Sequence, residues 1–389
     1  MSDLSDLARQ GAGLLQRRRP QAARDVLRRA VAERPGCAES RLLLGRACLQ
    51  AGQGGEAVAV LEALCADEAS PAALEALATA YRRDARYLDV LALARRHSGP
   101  QMAYEAAMAL TALGRAPEAL AAFDALLAEA PDLAAAWFGS HAPALDLLGW
   151  PEAETRLRRA AACRGANRRY QALLAAYHHL LGRGDPADCP QSQRHLAEGA
   201  RALRPYLAEG WRLFGISGSL LRWALEQAAR PGLVLEFGVR RGTSIAHLAA
   251  VAGQEVHGFD SFEGLPEAWV NSPSGALTTD RRLPAVPANV ALHAGWFEDT
   301  LPGFLAGQGA PLRFANIDSD LYSSARTVLT ALAARIGPGS VLVFDEFIGN
   351  RSWRQDEYRA FHEHAAAQGL AWSIIAVGLA TKQVAILIG

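Results

Sequence analysis

The chain has 389 residues, 50% of them hydrophobic, and 40 Lys+Arg balance 40 Asp+Glu. That length exceeds one typical domain, so two are expected. The zero formal charge argues against a nucleic-acid or anionic-membrane binder, which carries a basic surplus. Five cysteines (Cys37, Cys48, Cys65, Cys163, Cys189) without CxxC spacing argue against a disulfide framework or zinc site and fit a reducing compartment.

The start, Met1-Ser-Asp-Leu-Ser-Asp, lacks the charged-then-apolar order of a signal peptide. No stretch offers the ~18 uncharged apolar residues that would span a bilayer. The expectation is a soluble cytoplasmic protein. Residues 1–182 read as helical throughout, rich in Ala, Leu, Arg and Glu with apolar residues three and four apart. Gly11, Ala23, Leu27, Ala30 and Pro35 become Gly45, Ala57, Leu61, Leu64 and Ala69 on a shift of 34. Ala119, Phe123 and Leu126 become Ala153, Leu157 and Ala160 on the same shift, with Trp137 opening that unit. The unit at about 71–99 is short and irregular, and 168–182 reads as a last helix. This region resembles the tetratricopeptide repeat, a helix–turn–helix unit of 34 residues. Small residues let the two helices of a unit approach, and larger ones fill the groove against the next.

The stretch 184–195, with two prolines and no periodicity, reads as a linker between a repeat domain at 1–183 and a second domain at 196–389. Helices are expected over 196–208 and 219–230. Short apolar runs then alternate with helices. The expected strands are Leu233–Val239, Glu255–Asp260, Val290–Ala294, Leu312–Asp318, Ser340–Asp345, Trp372–Val377 and Gln383–Ile388. Such alternation with two late strands predicts a seven-stranded, doubly wound α/β sheet ending in a hairpin. The apolar stretch at 371–389 reads as that hairpin because Gly378, Thr381 and Lys382 interrupt it.

Four segments carry chemistry. The first, Glu236-Phe-Gly238-Val-Arg-Arg-Gly242-Thr243-Ser244, follows a strand and opens a helix, where an open α/β sheet binds its ligand. Its glycines allow a close backbone approach. Their spacing is not the GxGxxG of dinucleotide binders, which disfavours a nicotinamide oxidoreductase. Glu236 is placed to meet a cationic ligand, and adenosylmethionine carries an ammonium and a sulfonium. The second, Phe-Asp260-Ser261-Phe-Glu263, ends the next strand with a carboxylate able to accept ribose hydroxyls. The third holds Asp318 and Asp320, the fourth Asp345 and Glu346, again at strand ends. Acids converging on one rim repel one another unless protonated, paired or neutralised, and hard oxygen ligands favour Mg²⁺. Capping by Asp320 and a salt bridge at Glu346 are the bland alternatives.

The stretches LEFGVRRGTS, GFDSFEGLPEAW, GWFEDTLP, NIDSDLYSSARTVL, RIGPGSVLVFDEF and WRQDEYRAFHEH, spread over about 211–364, resemble the macrocin O-methyltransferase (TylF-like) family. The resemblance implies a class I, Mg²⁺-assisted, S-adenosylmethionine-dependent methyltransferase acting on sugar or other natural-product hydroxyls. It implies cofactor contacts from Glu236, Gly238, Ser244 and Asp260, and the adjoining Gly242, Thr243 and Ser261 are expected to bind the cofactor with them. It implies metal contacts from Asp318, Asp345 and Glu346. Where the family pairs two aspartates, this chain has Asp345-Glu346. A metal-bound hydroxyl would be acidified, and Asp318 or Asp320 would take its proton. His293 is an alternative base, and His362 and His364 are weaker ones. Trp296 is expected beside the adenine. The long loop 263–287 reads as a lid over the acceptor, with Trp353, Arg354 and Glu357 shaping the pocket. The repeats predict a protein partner or a homo-oligomer. The competing reading is an interaction protein with a degenerate or regulatory methyltransferase fold.

Overall fold

A computed structural model describes residues 5–184, 188–270 and 272–389. The expected linker falls partly on 185–187, outside the described residues. Backbone contacts define two compact units, one reaching to Ala109 and including Glu263–Arg281, the other comprising Leu110–Phe262 and Arg282–Gly389.

In the first unit, α1 (Asp6–Gln16), α2 (Pro20–Glu33), α3 (Ala38–Gln50), α4 (Gly54–Asp67), α5 (Pro71–Arg83) and α6 (Tyr87–Ala94) pack in succession. The 34-residue shift has a direct steric cause. A Cβ on Gly11 would lie 2.4 Å from Cγ of Leu27, and one on Gly45 would lie 2.6 Å from Cγ of Leu61. Each glycine lets its helix close on the leucine of the next, and both leucines are fully buried. The short third unit is realised in α6, which has eight residues. The helix α7 (Pro100–Ala112) crosses the boundary between the units.

The second unit continues with α8 (Ala116–Glu129), α9 (Ala134–Leu148), α10 (Trp150–Ala162) and α11 (Arg168–Leu180). Next come α12 (Arg194–Leu203), β1 (Leu207–Leu213), α13 (Ser217–Gln227), β2 (Leu233–Phe237), α14 (Thr243–Ala252), β3 (Val256–Asp260) and β4 (Val290–Ala294). The chain ends with α15 (Phe297–Ala306), β5 (Leu312–Ile317), α16 (Tyr322–Leu332), β6 (Val341–Phe344), α17 (Glu357–Gln368), β7 (Trp372–Gly378) and β8 (Gln383–Ile388). All seven expected strands are present, but the sheet has eight, in the order β1-β7-β8-β6-β5-β2-β3-β4. The additional strand replaces the end of the helix expected over 196–208. Pro205 sits in a 3-10 turn at Arg204–Tyr206, where it cannot continue α12. With Glu209, Gly210 and Arg212 in its seven residues, this bulged edge strand has no clean apolar alternation to read.

Strands β2 and β6 are buried along their whole length, as expected for central strands covered on both faces. Val234, Phe314 and Val343 pack with α13 and α14 on one face. Leu235, Phe237, Ile317 and Phe344 pack on the other face in a core that also takes in Leu157, Leu173 and Tyr177 from α10 and α11. The last helices of the array therefore share a core with the sheet.

A polar pin reinforces that junction. Asp146 of α9 accepts from the backbone N–H of Gly215 at 2.6 Å, ahead of α13, and also meets the Ile216 N–H and Ser219 hydroxyl. Asp146→Ala would leave buried helix-start donors unpaired and is expected to cost roughly 1–3 kcal/mol. A lowered thermal midpoint, with Asp146→Asn in between, checks this; an unchanged midpoint refutes it.

Candidate active site

The sheet reverses its winding between β2 and β5, so the crevice lies at their carboxyl ends. The two strands approach closely there. Gly238 has φ +98°, and a Cβ on it would lie 1.9 Å from the carbonyl oxygen of Asp318. Glu236 is in register with Asn316 of β5. The Asn316 side-chain N–H donates to Oε1 of the fully buried Glu236 at 2.8 Å, and Ser244 donates to the same carboxyl. Among the described residues, Oε2 of Glu236 and Oδ1 of Asn316 have no hydrogen-bond partner. Burial, above all, pushes the Glu236 carboxyl up to about 8.

Asp260 holds the neighbouring loops. Its Oδ2 accepts from the Arg240 N–H at 2.7 Å and its Oδ1 from the Phe262 N–H at 2.6 Å. Both donors sit in left-handed backbone, φ 46° and 59°. Each oxygen keeps a second lone pair. Gly242 caps the start of α14, and Thr243 is its first residue. Ser261 follows Asp260 and is half-buried, as is Trp296, which caps α15 through its backbone.

Beside this lies a group of acids. Burial first, then repulsion from Asp345, Asp320, Glu357 and Glu236, pushes Asp318 well above the usual carboxylate range. Asp320 and Asp345 are also raised by burial, each with Glu346 as the next cause. Asp320 does not cap α16, whose N-cap is Leu321. Instead it takes φ 62°, and Glu357 holds it there. Oε1 of the buried Glu357 accepts from the Ser319 N–H, Ser319 hydroxyl and Asp320 N–H at 3.1–3.2 Å, and Oε2 accepts from the Glu346 N–H at 3.1 Å. One side chain thus fastens the loop after β5 to the loop after β6.

The terminal β7–β8 hairpin supplies two more holders. Lys382 Nζ donates to both oxygens of Glu346, at 2.9 and 2.7 Å, and to Asn350 at 2.9 Å. Gln383 donates to Asp345 and to Ser217. Among the described residues no group of three or more His, Cys, Asp or Glu side chains is arranged to hold a metal ion.

The crevice thus brings together Glu236, Gly238, Ser244, Asp318, Asp320 and Asp345. His293 does not join them. Its ring stacks on Phe259 at 4.5 Å and meets His257 and Phe304. It lies on edge strand β4, three strand spacings or about 14 Å from β5. Trp353 is core rather than pocket wall, 1% exposed and packed on Tyr358. Arg354 covers its ring and pairs with Glu198. His362 belongs to the aromatic group of Tyr206, Tyr358 and Trp372, and His364 is half-buried. Within the expected lid, Leu265 and Ala276 close a small loop by backbone hydrogen bonds, and Trp269 bridges Ser272; Asn271 lies outside the described residues. Sequence reading missed Asn316, Lys382 and Gln383 and gave Glu357 a lesser part. None of them has a local motif; the register of β2–β5 and of the terminal hairpin puts them in place.

Residues 235–347 match the methyltransferase-domain family, and residues 14–81 match a tetratricopeptide repeat family. A curated relative from Streptomyces olivaceus, an 8-demethyl-8-(2,3-dimethoxy-alpha-L-rhamnosyl)-tetracenomycin-C 4'-O-methyltransferase, is 35% identical over 30% of this chain and 53% of its own length. The match thus spans about half of that relative. Among solved structures, a calicheamicin methyltransferase is similar at 22% identity, covering 44% of this chain and 77% of that one, with TM-score 0.36. A tetratricopeptide protein with an unusual peptide-binding site is similar at 16% identity, covering 42% and 87%, with TM-score 0.33.

Proposed function

We propose that this chain, which carries a methyltransferase domain behind tetratricopeptide repeats, transfers the methyl group of S-adenosylmethionine to a hydroxyl of a sugar or related natural product. The observation that carries this is the buried Glu236–Asn316 pair at the switch point, with one unpartnered oxygen on each side chain. A buried carboxyl in that state fits a cationic ligand group, and adenosylmethionine presents an ammonium. Asp260, with spare lone pairs, fits ribose hydroxyls. The acceptor class follows the relative's name, which places its reaction on a rhamnosyl oxygen.

Methyl transfer needs an alcohol made nucleophilic and held in line with the sulfonium. A carboxylate raised toward neutrality, as burial raises Asp318 and Asp320, is suited to accept the hydroxyl proton. A hard divalent cation fits the oxygen set of Asp318 and Asp345, since it would relieve their mutual repulsion. When bound, such a cation supplies acidification of the acceptor hydroxyl. Glu346 is engaged by Lys382 and Asn350 and would have to exchange them to join. Residues 1–183 serve as a partner-binding or self-associating array, 184–195 as the linker and 196–389 as the catalytic domain, in a cytoplasmic protein. Among the described residues, no helix is long and apolar enough to cross a membrane.

Calorimetry with adenosylmethionine, with and without Mg²⁺, tests the cofactor; no binding in either case overturns the proposal. The pH dependence has a definite sign. The Glu236 carboxyl is neutral below about 8, and the ligand cation requires it ionised. Affinity should therefore rise with pH and level off above about 8, with close to one proton released per ligand bound at pH 7. Binding heats in HEPES and Tris, which differ in ionisation enthalpy, read that proton. Glu236→Gln should flatten the profile and weaken binding; an unchanged profile refutes the assignment.

A further inference from the structure

The acids around the crevice differ in how the oxygens beside them are matched. On the Asp345 side, Gln383 is fully buried and its amide N–H groups donate to Asp345 and Ser217, while its Oε1 has no hydrogen-bond partner among the described residues. On the Glu346 side every group is matched. Lys382 Nζ donates to Glu346 Oε1 at 2.9 Å, to Glu346 Oε2 at 2.7 Å and to Asn350 Oδ1 at 2.9 Å. An ammonium has three N–H donors, so all of them are used. Asn350 Nδ2 in turn donates to Glu346 Oε2 at 2.6 Å. Glu346, Asn350 and Lys382 thus close a ring of three side chains.

The backbone holds this lysine in a strained position. Lys382 takes φ 64°, in the left-handed region, where a side chain is crowded and glycine or asparagine is the easier turn residue. Gly349, in the loop after β6, makes room for its stem: a Cβ there would lie 2.9 Å from Cγ of Lys382. A turn that only reverses the chain between β7 and β8 needs neither feature. Together they bring one positive charge against Glu346, the residue that directly follows Asp345. Strain of this kind persists where the surrounding structure makes use of it.

We propose that Lys382 is a built-in cation that occupies Glu346 in place of a divalent ion, and so sets how tightly such an ion binds beside Asp318 and Asp345. A divalent ion drawn to those two aspartates meets the charge of Lys382. It gains Glu346 as a ligand only when the ammonium leaves. Lys382 is therefore a specificity-determining residue: it keeps Glu346 paired when no divalent ion is bound, and it lowers the affinity of the acids for one. The consequence for methyl transfer rests on the methyltransferase reading; the competition for Glu346 does not.

Titration of the full chain with Mn²⁺, followed by electron paramagnetic resonance, is the test. It compares wild type, Lys382→Met, Glu346→Gln and the double variant. Methionine keeps most of the stem and removes the charge. Lys382→Met should tighten Mn²⁺ binding about tenfold or more, because a positive charge is lost and Glu346 is released. The double variant should return close to the wild-type affinity. Glu346→Gln alone should weaken binding by less than about threefold, because Glu346 takes no part while Lys382 holds it. Thermal unfolding gives a second reading. Lys382→Met should lower the midpoint in EDTA and regain it in Mg²⁺, whereas wild type should respond much less. No tightening in Lys382→Met, a larger loss in Glu346→Gln, or no Mn²⁺ binding by any of the four proteins overturns the proposal. So does a Lys382→Met midpoint lowered equally with and without Mg²⁺, which would mean that the lysine only fastens the hairpin to the loop after β6. Should Lys382→Met fail to fold, Glu346→Gln decides alone. Adenosylmethionine calorimetry on the same samples separates the two claims. No cofactor binding by wild type, with Mn²⁺ tightened in Lys382→Met, would refute the methyltransferase reading and leave the role of Lys382 standing.

Discussion

Asp318→Asn should lower methyl transfer about a thousandfold while leaving the protein more stable than wild type. The substitution keeps shape and removes charge. As a proton acceptor, or as an oxygen ligand to a cation, residue 318 must be ionised, and general-base catalysis alone is worth about 10²–10⁴ in rate. Cofactor affinity should change little, because Glu236 and Asp260 are untouched. The stability gain follows from linkage. Burial and four neighbouring acids raise the native Asp318 carboxyl well above its unfolded value. The native state thus holds a proton that the unfolded chain has already lost. Stability from this group is present at low pH and falls as pH rises from the unfolded value through the native one. Asparagine removes that loss, so the gain in thermal midpoint should grow with pH. A tritiated-methyl assay and thermal unfolding at pH 5 and 8, without divalent cations, read the two effects. Full retained activity would refute the assignment, and a lower midpoint at pH 8 would refute the electrostatic account.

Gly238→Ala is expected to be the most damaging single-methyl change. The new Cβ would sit 1.9 Å from the Asp318 carbonyl oxygen, which is backbone and cannot swing away, in a residue at φ +98°. Overpacking against a fixed atom and left-handed strain together cost about 3 kcal/mol or more. Relief requires parting β2 from β5, which opens the Glu236–Asn316 pair. Adenosylmethionine binding should fall below detection. Gly210→Ala is the control. Gly210 has φ +74° but nothing within 4 Å of its would-be Cβ, so it bears only the conformational penalty of about 1 kcal/mol. Chemical denaturation and calorimetry of both variants decide it; equal effects would mean that conformation, not the contact with β5, governs position 238.

Some of this lies in the sequence alone. Short apolar runs placed all seven expected strands, because strands covered on one or both faces need apolar stretches whatever surrounds them. The glycine–leucine spacing of Gly11/Leu27 and Gly45/Leu61 showed the repeat, because close helix approach demands a missing side chain at a fixed interval. Carboxylates at strand ends marked the rim of the crevice, because each belongs to a short motif tied to its own strand. Tertiary structure decided what those motifs meet. Glu236 acquires Asn316 from a strand 80 residues away. Glu357, 37 residues after Asp320 and 11 after Glu346, ties their two loops together. Lys382 and Gln383 reach Glu346 and Asp345 only because β8 inserts between β6 and β7. His293 is taken out of the site because strand order puts β4 at the sheet edge. The eighth strand, too, exists only by pairing with β7, since Leu207–Leu213 has no apolar alternation of its own. Local patterns reflect which atoms a residue must bury; partnership depends on strand order and register, which the chain acquires only when the sheet is assembled.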